Sequence, residues 1–197
     1  MRFAFGPRNK AMMTELETER FILRPVSAWH LVGDPGGWRT SRHIYRNLYF
    51  ETRPLSFRRW LKLGPFPDGR GKATYAIIPR EGRTAIGYFQ VRLTGWHHAN
   101  NAVGIHDEAW LGRNVAVETR ACVMNHYFNH GGVQRFSARI AADNAPSIFT
   151  YRRLGFSHVG TLHRERANPD TGAPLDFLLF EMLKEDWMRG PFGEPGP

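Results

Sequence analysis

Apolar residues change their spacing several times along this chain, and the order of those changes limits the folds that it can form. The stretch FILRPV, residues 21–26, is β-branched and aromatic and predicts a first strand. Two amphipathic helices are predicted within residues 38–63, because Pro54 pushes Arg53 out of the helical region and divides the segment. Three strands follow, the first two joined by a charged turn, at residues 74–79, 85–93 and 102–106.

Helices and strands alternate in the second half of the chain. Residues 115–129 carry apolar side chains at steps of three and four and precede Gly131-Gly132, which predicts a long helix with a glycine stop. A strand, a shorter helix capped by Asp143 or Asn144, and two final strands are predicted at 135–141, 145–154, 158–164 and 175–183. This order predicts an α/β protein, with a mixed sheet of about seven strands and helices on both of its faces.

The length of the chain predicts one domain. At about 150 residues per domain, 197 residues form a single unit, which we place at 16–187 between a flexible N-terminal segment, 1–15, and a flexible tail, 188–197. No apolar run is long enough for a membrane span. Cys122 is the only cysteine, and charged residues occupy the N-terminus where a signal peptide is apolar. We therefore expect a reduced, cytoplasmic protein.

Basic residues are concentrated in the first half of the chain. The net charge of +9 comes from 27 Lys and Arg against 18 Asp and Glu, and residues 1–98 hold 17 of the basic and 7 of the acidic residues. Six arginines there accompany a single acid, Glu51, and they are Arg39, Arg42, Arg46, Arg53, Arg58 and Arg59. They form either an ordinary solvated face or a surface for an anionic partner. No nucleic-acid-binding motif is present, so neither nucleic acid nor membrane is an expected partner.

The segment DEAWLGRNVAVE, residues 107–118, joins a predicted strand to the long helix through a short loop with one glycine. The N–H groups of such a loop and of the first helical turn have no partner within the helix, and the helix dipole adds positive charge. An anion binds well at such a position, so the segment predicts a phosphate site. An ordinary connecting loop is the alternative.

A second segment, NAPSIFTYRRLGF at residues 144–156, strengthens the phosphate-site interpretation. Asn144, Ser147 and Tyr151 are three and four residues apart and therefore lie along one helix face. Together the two segments resemble the GNAT superfamily of acyl-CoA-dependent N-acetyltransferases, and more narrowly its ribosomal-protein-alanine acetyltransferase-like branch. The resemblance covers residues 16–187, from LETERFILRP to LLFEMLKEDW, and implies the GNAT fold.

The resemblance also implies which residues bind acetyl-CoA. In the family, a loop of the form Arg/Gln-x-x-Gly-x-Gly/Ala wraps the CoA pyrophosphate; here Ala116 matches, while Leu111 and Asn114 depart from the pattern. We expect the loop to form, because asparagine tolerates left-handed backbone angles better than other non-glycine residues. The implied cofactor-binding residues are Ile105, His106, Leu111, Gly112, Arg113, Asn114, Val115, Ala116, Asn144, Ser147 and Tyr151.

Acyl transfer to an amine needs a neutral amine and a proton for the departing thiolate. Family members use the tyrosine at the position of Tyr151 as the proton donor, and core packing is the alternative role of its ring. Many members carry a carboxylate base on the fourth strand, but residues 100–104 contain none. His106 and Glu108 are the candidate bases, each with a structural role as the alternative.

The resemblance implies that an amine-bearing acceptor binds against the first helices, at Trp38, Arg42 and Arg46, with Trp29 as an alternative to Trp38. The arginines favour an acceptor that also carries an anionic group. We expect a monomer or homodimer. The predicted function is therefore acetyl transfer from acetyl-CoA to a primary amine, on a protein N-terminus or a small molecule. The alternative is a non-catalytic acyl-CoA-binding sensor or scaffold with the same fold.

Metal binding and thiol chemistry are not expected. His97-His98 are adjacent and His126 with His130 are one turn apart, but no cysteine or carboxylate completes a recognised ligand spacing. Cys122 lies within the apolar stripe of the long helix, which indicates a core position.

Overall fold

One mixed sheet of eight strands organises the described residues, in the order β1-β2-β3-β4-β5-β6-β8-β7. The computed structural model describes residues 14–32, 37–68, 71–194 and 196. The strands are β1 (Leu16–Glu17), β2 (Phe21–Pro25), β3 (Lys72–Pro79), β4 (Gly87–Gly95), β5 (His98–Ile105), β6 (Arg135–Ala141), β7 (Ser157–Ala167) and β8 (Pro174–Leu183). Neighbours are antiparallel except β5 and β6, which run parallel.

Helices cover both faces of this sheet. They are α1 (Ala28–Val32), α2 (Arg42–Tyr49), α3 (Phe57–Leu63), α4 (Val115–His130), α5 (Ala145–Arg153) and α6 (Lys184–Arg189). A short 3-10 turn, Glu108–Trp110, lies between β5 and α4.

Side chains along β3 alternate between the two faces of the sheet and enter two separate cores. Tyr75 and Ile77 point into the larger core, which contains the apolar side of α4 together with residues of α5 and α6. Ala76, between them, points into a second core with residues of α1, α2 and α3. The prediction of a mixed α/β sheet with helices on both faces is therefore confirmed.

The predicted order of elements is confirmed except that the short helices α1 and α6 were not predicted, and the strands show two further differences. β1 is an eighth strand, and its two residues are too few to give a detectable period; Thr18 Oγ1 accepts from the Phe21 N–H and closes the turn to β2. β5 begins at His98 rather than at residue 102, because its first part is polar and carries no apolar pattern. The predicted division of the N-terminal helices is found between Phe50, left-handed at φ 57°, and the Ser56 cap of α3.

The chain ends make specific contacts where the structure describes them. Residues 1–13 of the predicted N-terminal segment lie outside the described residues, and Glu15 forms an ion pair with Arg24 at 2.6 Å. Beyond α6, Phe192 stacks on Trp187, and its carbonyl oxygen accepts from Asn125 Nδ2 at 2.9 Å. The tail is thus held against α4 because its backbone carbonyl groups have side-chain donors there. No helix in the described part of the chain has the length and apolar character needed to cross a membrane.

Candidate active site

The strands β5 and β6 separate after a short parallel contact. Only His98, Ala99 and Asn100 of β5 pair with β6, while β5 continues beside β4 to Ile105 and β6 continues beside β8 to Ala141. The two strands therefore diverge from Asn101 onward and leave a wedge-shaped opening in the sheet. Backbone groups along the facing edges of such an opening can bond to an extended ligand.

The predicted phosphate loop lies at the wide end of this wedge, because it follows β5 directly. Gly112 has φ +74°, and a Cβ placed there would meet nothing within 4 Å. Asn114 is left-handed, at φ 59° and ψ 16°, and immediately precedes α4. The expectation that asparagine would permit this turn is confirmed.

The side chain of Asn114 does not cap α4. Its Oδ1 instead accepts from Arg153 Nη1 at 2.8 Å, on the neighbouring helix α5. The first-turn N–H groups of a 16-residue helix thus face the loop together with the positive end of the helix dipole. Arg153, and Arg113 with its guanidinium 5.9 Å from the ring centroid of Trp110, add positive charge nearby. The residues present fit a diphosphate.

The remaining predicted cofactor residues lie around the same opening. Ile105 and His106 are at the wide end of β5, and His106 donates its backbone N–H to Ile86 O at 3.0 Å. Leu111 is exposed and Val115 is buried at the start of α4. Asn144 is the N-cap of α5, where its Oδ1 accepts from Ser147 N at 3.2 Å.

Tyr151 reaches the narrow end of the wedge from α5. It is 3 % exposed, and its hydroxyl donates to Asn101 Oδ1 at 2.9 Å, just beyond the last β5–β6 pair. Arg120 of α4 donates its Nε–H to the same oxygen at 2.8 Å, and its guanidinium carbon lies 4.2 Å from the Tyr151 ring centroid. Three side chains from two helices and one strand therefore meet at this point.

The electrostatics of this cluster keep the tyrosine protonated. Burial raises the pKa of Tyr151, while the charge and hydrogen bonding of Arg120 lower it, and the result stays above the ordinary value. Burial lowers the pKa of Arg120, with Tyr151 opposing that shift. A protonated tyrosine beside a buried cation can donate a proton to an anion that forms in the wedge.

A second polar chain lies on the opposite face of the sheet at the same level. His98 Nε2 lies 2.7 Å from Ser137 Oγ, and the Ser137 hydroxyl donates to Asn100 Oδ1 at 2.7 Å. Burial and then Arg135 lower the pKa of His98, with Glu181 opposing them. His98 and Ser137 can exchange a proton, and the chain ends at Asn100, whose amide oxygen only accepts a hydrogen bond.

The two candidate bases differ in their surroundings. His106 is partly buried and follows β5 on the face that carries Gly104, which lies against Tyr88 and Ile44. The Glu108 side chain is 81 % exposed, and its Oε1 lies 3.4 Å from His43 Nε2. His106 is therefore the candidate enclosed by the fold.

The residues expected to contact the acceptor differ in their exposure. Trp38 is 1 % exposed, with its ring centroid 5.0 Å from that of Tyr88, so it packs in the core and the expectation that it contacts the acceptor does not hold. Trp29, the alternative, is 85 % exposed. Arg42 is exposed on the first turn of α2.

Arg46 is neutralised by carboxylates of distant segments. Its Nε donates to Asp170 Oδ2 at 2.6 Å, and its Nη2 lies 3.4 Å from Asp143 Oδ2. Its side chain is 16 % exposed. An anionic acceptor would have to displace these two carboxylates, so the structure does not offer Arg46 as a free cation.

No group of three His, Cys, Asp or Glu side chains suited to a metal ion occurs among the residues that the structure describes. His126 and His130 have ring centroids 5.4 Å apart on α4. Cys122 is partly buried, and burial raises the pKa of its thiol to about 11, which leaves it unreactive at neutral pH.

Sequence reasoning missed Arg120 and Asn101. Arg120 lies on the buried side of α4, three residues after Val117 and four before Met124, and a charged residue in an apolar stripe was a signal for it. Asn101 had no such signal, because its role depends on residues brought to it from two helices.

Comparisons with known proteins agree with this architecture. The family model described as an acetyltransferase (GNAT) domain matches residues 20–157. No curated protein matches the chain by sequence. A GCN5-related N-acetyltransferase from Brucella melitensis is 18% identical over 89% of this chain and 80% of its own, with a TM-score of 0.70.

Two further solved structures are similar in fold. Ribosomal-protein-S5-alanine acetyltransferase from Vibrio fischeri is 15% identical over 88% of this chain and 98% of its own, with a TM-score of 0.62. RimJ from Mycobacterium smegmatis, in complex with CoA-disulfide, is 18% identical over 88% of this chain and 89% of its own, with a TM-score of 0.63. The family model covers most of the chain, including the wedge, the loop and the start of α5, and the chain therefore belongs to the GNAT acetyltransferase domain family.

Proposed function

We propose that this protein transfers the acetyl group of acetyl-CoA to a primary amine by direct attack. The observation that carries the proposal is the Tyr151 hydroxyl, protonated and 2.9 Å from Asn101 Oδ1, at the narrow end of an opening whose wide end has a loop and a helix start that fit a diphosphate. An acyl donor that spans the opening has its anionic portion at the wide end and its acyl group at the narrow end. Acetyl-CoA has this form.

Each part of the opening has a proposed contact with the donor. The loop at Gly112 and Asn114 and the first turn of α4 bind the pyrophosphate through backbone N–H groups. The diverging edges of β5 and β6 bond to the amides of the pantetheine arm. Asn144, at the start of α5, donates its amide N–H to the same arm.

The chemical step uses two proton transfers. The amine nitrogen attacks the thioester carbon and loses a proton to a base, for which we propose His106, with Glu108 as the alternative. The C–S bond then breaks, and Tyr151 gives its hydroxyl proton to the thiolate. Holding the amine and the thioester together lowers the activation barrier by several kcal/mol, on the order of the effect in other reactions of two bound reactants.

The acceptor is proposed at the level of its reacting group, a primary amine. Protein N-terminal alanine is one candidate, since ribosomal-protein-alanine acetyltransferases are among the proteins of similar fold. An anionic group on the acceptor would bind at Arg42 and the exposed arginines of the same segment rather than at Arg46.

A screen of amines by mass spectrometry tests this proposal. Peptides with N-terminal alanine, polyamines and aminoglycosides are incubated with acetyl-CoA, and the expected product is heavier by one acetyl group. The same reactions with Tyr151→Phe are the matched control, because that variant keeps the fold and the binding surfaces. Turnover by neither enzyme on any amine, with acetyl-CoA bound, would contradict the proposal.

A non-catalytic acyl-CoA-binding protein is the second candidate. It is favoured by one observation: residues 101–105, the part of β5 that borders the wedge, include no carboxylate to act as a base. Tight binding of acetyl-CoA without amine-dependent release of CoA would support this alternative.

A further inference from the structure

Arg120 is a buried cation with no anionic partner among the residues that the structure describes. The residue is 4 % exposed, on the side of α4 that also buries Val117 and Met124. None of the ion pairs within the described residues includes it. An uncompensated guanidinium in a protein core is strongly unfavourable, and an apolar side chain of similar size is usually more stable there. The buried position of Arg120 therefore indicates a functional role.

The contacts of Arg120 are directed at Tyr151. Its guanidinium lies over the Tyr151 ring, and both side chains donate to Asn101 Oδ1, at 2.8 and 2.9 Å. The shared oxygen fixes the tyrosine hydroxyl at the narrow end of the wedge. Arg120 and Tyr151 belong to different helices, so the arrangement depends on the packing of α4 and α5.

Two hydrogen-bond donors of this cluster meet no acceptor in the described part of the chain. Arg120 Nη1 and Asn101 Nδ2 are buried and make no hydrogen bond to any described residue. Buried donors without acceptors are rare and costly in native proteins. A phenolate oxygen on Tyr151 would give the Arg120 guanidinium, which already interacts with the hydroxyl, an acceptor that carries a full negative charge and no proton.

Among the contacts that the structure describes, Arg120 is the one charged group that faces Tyr151. The other rings packed on Tyr151 are those of Phe156 and Phe180, at 4.8 and 6.0 Å between centroids, and neither is charged. Arg120 is also the charged group that lowers the pKa of Tyr151 against the effect of burial.

We propose that Arg120 is a positioning residue for the chemical step, which holds the Tyr151 hydroxyl at the narrow end of the wedge and stabilises the phenolate formed when that hydroxyl turns from Asn101 Oδ1 and protonates the departing thiolate. This inference rests on the proposed acetyl transfer. The Tyr151 O–H bond breaks and the thiol S–H bond forms. The phenolate regains its proton from solvent, into which the base releases the proton lost by the amine, so no further reactant is needed.

A direct contact of Arg120 with the donor is the competing explanation. A carboxylate on the acyl group, as in succinyl-CoA, would pair with a guanidinium in the wedge. Nη1 is buried, and the guanidinium carbon lies 4.2 Å from the Tyr151 ring centroid, so a carboxylate would reach the guanidinium only by displacing the side chains that cover it. The observed packing favours the action through Tyr151.

Arg120→Met and Arg120→Lys test the proposal, each alone and combined with Tyr151→Phe. We expect Arg120→Met to lower single-turnover acetyl transfer by about 10-fold or more in the parent and to have little effect in the Tyr151→Phe background. Arg120→Lys, which keeps the charge, should retain more activity than Arg120→Met. Equal losses of rate in both backgrounds would overturn the proposal.

A spectroscopic readout separates this inference from the proposed function. With 3-fluorotyrosine at position 151, fluorine NMR follows ionisation of the phenol directly, and Arg120→Met should raise its pKa. Thr119→Val, at the neighbouring buried position, removes a hydrogen bond to Val115 O without changing charge and should leave that pKa unchanged. An unchanged pKa in Arg120→Met would overturn the inference even if the parent transfers acetyl groups.

Two further results complete the test. If the parent enzyme acetylates no amine, the proposed function fails, and the fluorine titration alone then decides whether Arg120 stabilises the phenolate. Preference for succinyl-CoA over acetyl-CoA that is lost in Arg120→Met would assign Arg120 to donor binding and contradict the positioning role. The melting temperature of Arg120→Met should equal or exceed that of the parent, because the variant removes a buried charge.

Discussion

A hydrogen bond of 2.8 Å joins Asn114 to Arg153. It turns the Asn114 side chain away from the loop, of which Asn114 is the last residue. The left-handed backbone of Asn114 and the bond to Arg153 together leave the first turn of α4 open to an anion. An asparagine thus performs here what a glycine performs in the family pattern, and it couples the loop to α5.

Substitutions at Asn114 should separate the backbone requirement from the side-chain bond. Asn114→Gly keeps the left-handed conformation, so we expect a melting temperature within a few degrees of the parent and CoA affinity equal or higher. Asn114→Ala should cost about 1 kcal/mol, because alanine is strained at positive φ and lacks the short polar side chain by which asparagine tolerates that conformation. Thermal unfolding and calorimetric titration with CoA measure the two effects. Equal stability of both variants would contradict the strain argument.

Binding of CoA should stabilise the folded protein. At a concentration about 100 times the dissociation constant, linkage contributes roughly 2.7 kcal/mol, or about 5 to 10 °C in melting temperature for a chain of this length. ATP at equal concentration is the control for a general polyanion effect and should give a smaller shift. Unfolding that is unaffected by millimolar CoA would contradict the assigned diphosphate site.

Much of the fold could be predicted from the sequence, because the elements that build it have strong periods of their own. The 16-residue α4 and the strand β6 were found at their true limits or within one residue of them. The two-residue β1 and the polar start of β5 were missed, since their strand structure comes from pairing with neighbours rather than from an apolar pattern.

The candidate site was predictable only where its residues are close in sequence. The loop before α4 and the start of α5 each form a local motif, so both were found. Asn101 and Arg120 meet Tyr151 from positions 50 and 31 residues away, and Arg46 meets Asp170 across 124 residues. Such contacts depend on tertiary packing, for which a single sequence carries no local signal. Trp38 was misjudged for the same reason, since burial is a property of the folded neighbourhood.

Glu118 should make stability depend on pH at the acidic end. Burial raises the pKa of Glu118, but hydrogen bonds from Thr18 and Arg20 and the charge of Arg20 lower it below the ordinary value. A carboxylate with a lowered folded-state pKa contributes stability that is fully present above its unfolded pKa, about 4.3, and is lost as the pH falls through the folded pKa.

Glu118→Gln should therefore cost about 2 kcal/mol at pH 7, and the difference from the parent should shrink as the pH falls below about 4. Glu81→Gln, at an exposed turn, is the matched control and should change stability little at either pH. Denaturant unfolding at several pH values measures both. A difference that stays constant with pH would assign the cost to packing rather than to charge.

Arg46 should hold the turn between β7 and β8 against α2. In Arg46→Gln, Asp143 and Asp170 lose their shared cation, so we expect faster amide exchange at residues 168–173 and a loss of about 1 kcal/mol in stability. Arg42→Gln, an exposed position on the same helix, is the control and should leave exchange in that turn unchanged. Equal exchange in parent and Arg46→Gln would show that the turn is held by its own hydrogen bonds.

Removal of the Tyr151 hydroxyl should slow the chemical step while leaving the fold intact. In Tyr151→Phe the ring keeps its packing on Phe156 and Phe180, and Asn101 Oδ1 keeps its bond from Arg120, so stability should change by less than about 1 kcal/mol. The rate should fall by about 10² to 10⁴, as for the loss of one positioned general acid, with little change in affinity for acetyl-CoA.

Single-turnover kinetics is the measurement to use for Tyr151→Phe, because slow product release in the steady state would hide a slower chemical step. Tyr127→Phe is the matched control: Tyr127 is buried on α4, and its hydroxyl lies 3.4 Å from that of Tyr75, within the core. The control should transfer acetyl groups at the parent rate. If Tyr151→Phe did so too, the thiolate would be leaving unprotonated or taking its proton from water, and Tyr151 would be a packing residue of the wedge.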